Sequence, residues 1–348
     1  SHSLPLILSP PPPPLSSLLF LREWLITVVM ATALLAWFFF SQSSRLWGDV
    51  LYDRMMTWQG FHHTDDIVLI AVDDRSLQQL GGWPLARSRY TELLERFEDP
   101  RHRPKAVGLD LLLLDPSPHD DGLAQAMRRT PTVLPIEFTS DLASGGTGTA
   151  LPAGPLAQAS RLSHINVSFD ADGVIRGFRT LERNHLHFSL AMHSLGDRGH
   201  RNVLQAQISP SYQRFRMVDP SIGFPMVSLS DALSPAFPLS LVKDKYVMLG
   251  VTAPSLGDRY PTLYSGEHGG TPGVAILASV LNASLNNAFI APMDDVAVFA
   301  LNGVAVVLLL LSLIVFKPRT TVAISVVLIA LGVLGSYALL NWGNVWLN

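Results

Sequence analysis

Aspartates stand at or near the ends of several apolar runs that have the character of buried strands. Asp73 and Asp74 directly follow the first run, Asp110 lies within the second, and Asp258 follows a later one. In a parallel sheet, ligands bind beyond the carboxyl ends of the strands. Carboxylates grouped there with an arginine can bind a cation or a polar ligand. We take these four aspartates as candidate ligand-binding residues, with helix caps and loop ties as the competing interpretation.

A second candidate group lies in the motif Gly-Gly-Trp-Pro-Leu-Ala-Arg. Gly82 permits a tight turn before Trp83, Pro84 stiffens the chain after it, and Arg87 stands just before a helical pattern. Arg87 is therefore placed to pair with a carboxylate. Trp83 and Arg87 are either one wall of a ligand pocket or a structural corner held by an arginine–aspartate pair.

The sequence gives weaker evidence for metal binding and for catalysis. His185 and His187 would share one face of a strand, but two histidines without further ligands do not define a metal site. The absence of cysteine excludes thiolate metal sites, iron–sulfur clusters and cysteine nucleophiles. Paired carboxylates without a nucleophile signature do not indicate a hydrolase. We expect neither a cofactor, a metal nor a catalytic site in this chain.

The elements that must position these residues alternate between strand and helix. The first part of the pattern is strand 67–72, helix 88–98, strand 106–114, helix 119–129 and strand 132–138. A hairpin region at 164–179 and 181–190, a strand at 246–251 and a helix at 273–286 follow. This order predicts an α/β domain with a mainly parallel sheet and helices on its faces.

The composition indicates membrane helices. Apolar residues make up 48% of the chain and charged residues 15%, with a mean hydropathy of +0.28. Three uncharged apolar segments, 24–40, 296–316 and 321–340, account for the excess. Lys317 and Arg319 lie between the last two, and short basic loops stay in the cytoplasm. A cleaved signal peptide is the competing interpretation of the first segment.

The predicted topology places the large domain outside the cytoplasm of a bacterial cell, as part of an inner-membrane protein. The segments are a proline-rich cytoplasmic lead (1–23), a membrane helix (24–40), the extracytoplasmic domain (41–295), two further membrane helices (296–316 and 321–340) and an outer tail (341–348). The tail is predicted to be an interfacial turn that holds Trp342 and Trp346 among the lipid headgroups, and a natural continuation would be a fourth span.

The order and spacing of several stretches resemble those of the second class of CHASE domain, the cyclases/histidine kinases associated sensory extracellular module of bacterial receptors. The resemblance covers about residues 45–340. Its stretches are Asp49–Arg54, Ile67–Leu77, Gly81–Arg87, Ala106–Asp115, Asp120–Leu123, Asp172–Arg176, Phe224–Pro225, Lys245–Asp258 and Pro272–Val274. Leu277 departs from the family, which often has a histidine after Pro-Gly-Val.

The resemblance implies a sensory receptor that detects an extracytoplasmic signal or partner and relays it through the membrane helices. The cytoplasmic output it implies, a kinase or nucleotide cyclase, has no motif in this chain. The alternative is a scaffold subunit of a membrane complex that uses the same fold. The expected partners are the lipid bilayer and either a second copy of the chain or another membrane protein. Without a basic block, no nucleic acid is expected.

Overall fold

A computed structural model describes residues 22, 25–26, 29–30, 33, 42–59, 63–140, 147–197, 212–219, 223–265, 269–316 and 318–347. The predicted lead and first span, 1–40, lie mostly outside these residues. The chain forms two compact units. One comprises Tyr52–Met293 and Ser336–Leu347, and the other holds the described parts of Ser1–Leu51 and Asp294–Gly335.

Helices and strands alternate along the described part of the chain. The helices are α1 (Gln42–Gln59), α2 (Asp74–Leu80), α3 (Arg87–Arg96), α4 (Asp120–Arg129), α5 (Gly154–Ala159), α6 (Phe188–Gly196), α7 (Leu229–Ala232), α8 (Gly273–Leu285), α9 (Asp295–Val315) and α10 (Pro318–Gly343). The strands are β1 (Ile67–Val72), β2 (Ala106–Asp110), β3 (Thr132–Ser140), β4 (Thr147–Ala150), β5 (Arg161–His164), β6 (Val167–Phe169), β7 (Ile175–Arg179), β8 (Leu181–Glu182), β9 (His185–Leu186), β10 (Tyr212–Phe215), β11 (Met226–Ser228), β12 (Tyr246–Val251), β13 (Arg259–Tyr260), β14 (Thr271–Pro272), β15 (Phe289–Pro292) and β16 (Val345–Trp346).

The central sheet is mainly parallel, which confirms the α/β prediction. Its strands run in the order β11-β1-β12-β2-β3, all parallel, and β3 then pairs with parallel β5 and antiparallel β4. Strand β12 lies between β1 and β2, so that Ile67 pairs with Tyr246 and Asp110 with Gly250. Every residue of β1 and β12 is buried, because helices cover both faces of the sheet.

Alternate strand residues enter separate cores on the two faces. Val68, Ile70 and Val72 pack with α3 and α4 on one face, while Ile67 and Leu69 pack with α6 and α8 on the other. Glycine makes close helix packing possible on the second face. A Cβ at Gly108 would lie 2.5 Å from Met192 Sδ of α6, and one at Gly250 would lie 2.5 Å from Val274 Cβ of α8.

A second sheet has the order β16-β15-β10-β7-β6. The predicted antiparallel hairpin around Asp172-Gly173 is confirmed, because β6 and β7 pair across this turn. The predicted strand character of 181–190 is wrong beyond Leu186, where helix α6 begins at Phe188. Since this helix is buried on nearly all sides, its apolar run has no periodicity that separates helix from strand.

The tail after α10 belongs to this second sheet. Strand β16 pairs with β15 through Ala291 and Val345. Trp346 is only 3% exposed and its ring meets Tyr52 edge-to-face, with ring centroids 5.0 Å apart. The prediction that Trp346 lies in an interfacial turn is therefore wrong, whereas Trp342 is 85% exposed. A two-residue strand carries too little pattern to be predicted.

The predicted spans 296–316 and 321–340 coincide largely with helices α9 and α10. Among the described residues, one helix, Arg319–Gly343, is long and apolar enough to cross a membrane, with a mean hydropathy of 2.4. The apolar part of α9, Val296–Ser312, is shorter. The three-span topology therefore stays a prediction.

Candidate functional site

A cavity of about 60 Å³ opens at the carboxyl end of β2, beside the first turn of α8. It is lined by Asp110, Ile165, Val167, Asp258, Tyr260, Gly273, Ile276 and Leu277. A single water needs roughly 10–15 Å³ of such space, so the cavity has room for several waters or a small ligand. The lining combines two carboxyl groups with apolar side chains.

Local structure brings the two cavity aspartates to this place. Asp110 ends β2 two residues after Gly108, so strand alternation directs its side chain to the face covered by α6 and α8. Asp258 is reached from β12 through a turn in which Gly257 has φ 74°. The carboxylate oxygens of Asp258 lie 3.0 and 3.1 Å from where a Cβ of Gly273 would be. Glycine at the start of α8 therefore admits this carboxylate to the positive end of the helix.

Burial governs the protonation of the cavity. Burial, and in second place the negative charge of Asp258, raise the pKa of Asp110 to about 7. Burial also raises the pKa of Asp258, although a hydrogen bond with Tyr260 opposes this shift. Among the described residues, neither aspartate forms an ion pair with a lysine, arginine or histidine. The cavity can therefore bind a proton or offer carboxylate oxygens to a cationic or hydrogen-donating ligand.

Asp73 and Asp74 serve other contacts. Asp73 caps α2, accepting hydrogen bonds from the Ser76 amide and the Ser228 hydroxyl at 2.8 Å each. Burial disfavours the charged form of Asp73, but these hydrogen bonds outweigh it and lower the pKa. Asp74 accepts a hydrogen bond from Ser255 Oγ at 2.6 Å. Helix α2 packs in the core on the face of the sheet opposite to α6 and α8.

Arg87 and Trp83 also lie outside the cavity lining. Arg87 donates hydrogen bonds to the Asp120 carboxylate and to the Asp115 carbonyl, and so ties the start of α3 to the start of α4. Arg87 is 9% exposed and Asp120 4%, so the pair is buried. Trp83 is 45% exposed. The arrangement of Arg87 is that of the structural corner.

Of the six candidate residues, the structure brings together Asp110 and Asp258 in one cavity. Sequence reasoning missed Tyr260, which lines the cavity two residues after Asp258 and forms a hydrogen bond with the Asp258 carboxyl group. Burial and the charge of Asp258 raise the pKa of the Tyr260 hydroxyl to about 12, so it stays a donor. Leu277 lines the cavity at the position where the resemblance would put a histidine.

A charged cluster around Arg176 was also missed. The Arg176 side chain is 1% exposed, and its guanidinium pairs with Asp53 and Asp172 at 2.7 Å and with Asp170 at 3.1 Å. Arg214 joins Asp170 at 3.1 Å. The available signal was that Asp53 and Asp172–Arg176 both stand in stretches that carry the family resemblance. The cluster links α1, the β6–β7 hairpin and β10.

His185 and His187 do not lie together on one face of a strand, as the sequence had predicted. His185 lies in β9, but His187 is the N-cap of α6. In the part of the chain that the structure describes, no three histidine, cysteine or carboxylate side chains are arranged to hold a metal ion.

A family model described as the CHASE2 domain matches residues 26–316. No curated protein and no solved structure matches the chain. CHASE2 domains are extracellular sensory domains of membrane receptors and are not catalytic domains. Because the match spans most of the sequence and agrees with the α/β architecture, this chain belongs to the CHASE2 domain family.

Proposed function

We propose that this chain is the sensory part of an inner-membrane receptor and that the cavity at Asp110 and Asp258 receives its ligand. The observation that carries the proposal is the cavity itself, which holds two carboxylates without an ion-pair partner among the described residues. Membership of a sensory family supports the receptor role. It also supports the expectation that this chain is not itself an enzyme.

The lining suggests the class of ligand. A buried carboxylate pair is unfavourable unless its charge is neutralised by protons or by a positively charged partner. Ile276 and Leu277 offer an apolar surface on the side of α8. A small ligand with an ammonium group and a short alkyl part would match both the carboxyl groups and the apolar side chains of the lining.

Helix α8 offers a route from the cavity towards the membrane helices. Its first turn lines the cavity at Gly273 and Ile276, and its last residue, Leu285, is followed by β15. Strand β15 pairs with β16, the strand that follows α10, and the chain continues from β15 into α9. We propose that ligand binding shifts α8 and β15, and that α9 and α10 pass this shift to a kinase or cyclase output outside this chain.

The test is a ligand titration of the full chain in phospholipid nanodiscs. Methylamine, propylamine and butylamine serve as probes, and the thermal unfolding midpoint is the readout. Butylamine should raise the midpoint of the wild type but not that of Asp258→Asn, which lacks one charge, or Leu277→Trp, which fills the cavity. Asp74→Asn is the matched control and should respond like the wild type.

Two results would contradict the proposal. If the probes leave the unfolding midpoint of the wild type unchanged, or raise that of Leu277→Trp as strongly as that of the wild type, the cavity is not the ligand site. If a membrane protein also co-purifies at a fixed ratio, the scaffold interpretation is the better one. A second copy of this chain is the other partner that we propose.

A further inference from the structure

Two buried histidines meet where the central sheet approaches the second sheet. His164 ends β5, His187 immediately precedes α6, and their backbones form a β-bridge. The two imidazole rings are edge-to-face, with centroids 5.2 Å apart and planes at 79°. Both residues are 0% exposed. We call His164 and His187 the histidine pair.

One hydrogen bond fixes the protonation state of His187. The Ser189 amide donates to Nδ1 of His187 at 3.3 Å, so this nitrogen carries a lone pair and the proton is on Nε2. Within the described residues, Nε2 of His187 and both ring nitrogens of His164 make no hydrogen bond of standard geometry. His187 is therefore neutral while it caps α6, and His164 beside it has no acceptor of standard geometry for an added proton.

A second proton would be unfavourable on either ring. On His187 it would place an N–H at Nδ1 against the Ser189 N–H and remove the cap. Burial, and after it the nearby His185 and Arg179, lower the pKa of His164 to about 4, although the Thr180 backbone opposes this shift. Burial and His164 lower the pKa of His187 well below its ordinary value. Among the described residues, the charged or titratable groups that act on the pair from β7 and β9 are thus cationic or neutral.

The start of α6 is connected to the rest of the domain. Ser189 Oγ donates to the Leu277 carbonyl at 2.7 Å, which joins α6 to α8 beside the cavity. Phe188 and Met192 pack in the core under the central sheet, and Leu190 packs in the core of the second sheet. A change at the N-terminus of α6 therefore reaches both sheets and α8.

We propose that the histidine pair is an acid-sensitive contact that holds the start of α6 in place at neutral pH and releases it when the surroundings of the domain become acidic. This inference goes beyond the proposed ligand site, and it holds whether or not an amine binds the cavity. It makes the proton a second stimulus for the domain.

The direction of the pH effect follows from the lowered pKa values. Stability from the neutral pair is fully present above about pH 6.5 and is lost as the pH falls towards about 4. Over that range, the equilibrium for opening the start of α6 should rise by up to about tenfold per pH unit for one histidine. Asp110, whose pKa is raised, acts in the opposite sense, so a readout local to α6 is needed.

The test is hydrogen–deuterium exchange of the full chain in phosphatidylcholine nanodiscs, followed by mass spectrometry at about pH 7.5, 6 and 5 with correction for intrinsic rates. Peptides covering Phe188–Gly196 should lose protection by about tenfold or more between the first and last pH. Peptides covering Arg87–Arg96, in the core on the opposite face, should keep theirs.

Two substitutions separate the pair from general acid effects. His187→Asn keeps a good N-cap acceptor but cannot take a proton, and His164→Phe keeps an aromatic ring while removing both titratable nitrogens. Each single variant should lose less α6 protection than the wild type at about pH 5, and the double variant that carries both substitutions should retain it. His119→Gln removes an exposed histidine and should behave like the wild type. A constant wild-type protection, an equal loss in Arg87–Arg96, or an unchanged loss in the double variant would overturn the proposal.

Discussion

The guanidinium of Arg176 donates to both carboxylate oxygens of Asp53, at 2.8 and 2.7 Å. This bidentate pair ties β7 to the Tyr52–Gln59 part of α1. Arg176 also pairs with Asp170 and Asp172, and its side chain is 1% exposed. Arg176 therefore joins three carboxylates from two parts of the sequence, and Arg214 supplies a second positive charge at Asp170.

Replacing Arg176 with methionine should destabilise the domain strongly. The change leaves three partly buried carboxylates, 15–28% exposed, without this cation, and the cost of about 3–5 kcal/mol for breaking a fully buried pair is the upper bound. Arg75→Met is the control, because Arg75 pairs with Asp231 while their side chains are 58% and 46% exposed. Such surface pairs contribute about 0–1 kcal/mol. Denaturant unfolding of the full chain in detergent measures both, and similar losses in the two variants would contradict the buried role of Arg176.

The two tail tryptophans should differ sharply. Trp346→Ala removes a ring that is 3% exposed and packs on Tyr52, so we expect a loss of about 3–5 kcal/mol in the free energy of unfolding. Trp342→Ala removes a ring that is 85% exposed and should change that free energy by less than about 0.5 kcal/mol. If the two variants have equal unfolding midpoints, β16 is not part of the folded domain in solution.

Gly108 and Gly122 form a further matched pair. A Cβ at Gly108 would lie 2.5 Å from Met192 Sδ and 2.8 Å from the Phe188 ring, so Gly108→Ala should cost about 1–3 kcal/mol through overpacking. Nothing lies within 4 Å of a Cβ at Gly122 in α4, and Gly122→Ala should stabilise the helix by about 0.5–1 kcal/mol. Thermal melts of both variants give the comparison. A neutral Gly108→Ala would show that α6 packs less closely on β2.

Asp110→Asn should change how stability depends on pH. The pKa of Asp110 is raised to about 7. The stability that its protonated carboxyl gives the fold is therefore fully present below the unfolded pKa of 3.8, and it is lost as the pH rises through about 7. The variant never buries a charge at this position. The unfolding midpoint of the variant minus that of the wild type should therefore increase as the pH rises from about 5 to about 8. Asp121→Asn, at an exposed position of α4, is the control. A constant difference between Asp110→Asn and the wild type across this range would argue against a protonated Asp110.

The sequence was most informative where hydrophobic pattern dominates. The run Ile67–Val72 is strand β1 with the predicted bounds, and Tyr246–Val251 is strand β12, because uninterrupted apolar runs of this length suit strands buried on both faces. It was least informative where contacts are distant in the chain. Nothing local places β12 between β1 and β2, and nothing local separates Asp73, which caps a helix on one face, from Asp110, which faces the other.

The amino-acid sequence by itself determined the α/β class, the hairpin around Asp172-Gly173, the family resemblance and the apolar segments beyond the domain. These depend on local periodicity, turn residues and composition, all of which can be read along the chain. Tertiary structure alone decided that Asp110 and Asp258 share a cavity, that Arg176 meets Asp53, and that His164 touches His187. Each of these contacts joins residues far apart in sequence, and only the packing of the strands and helices sets the distance between them.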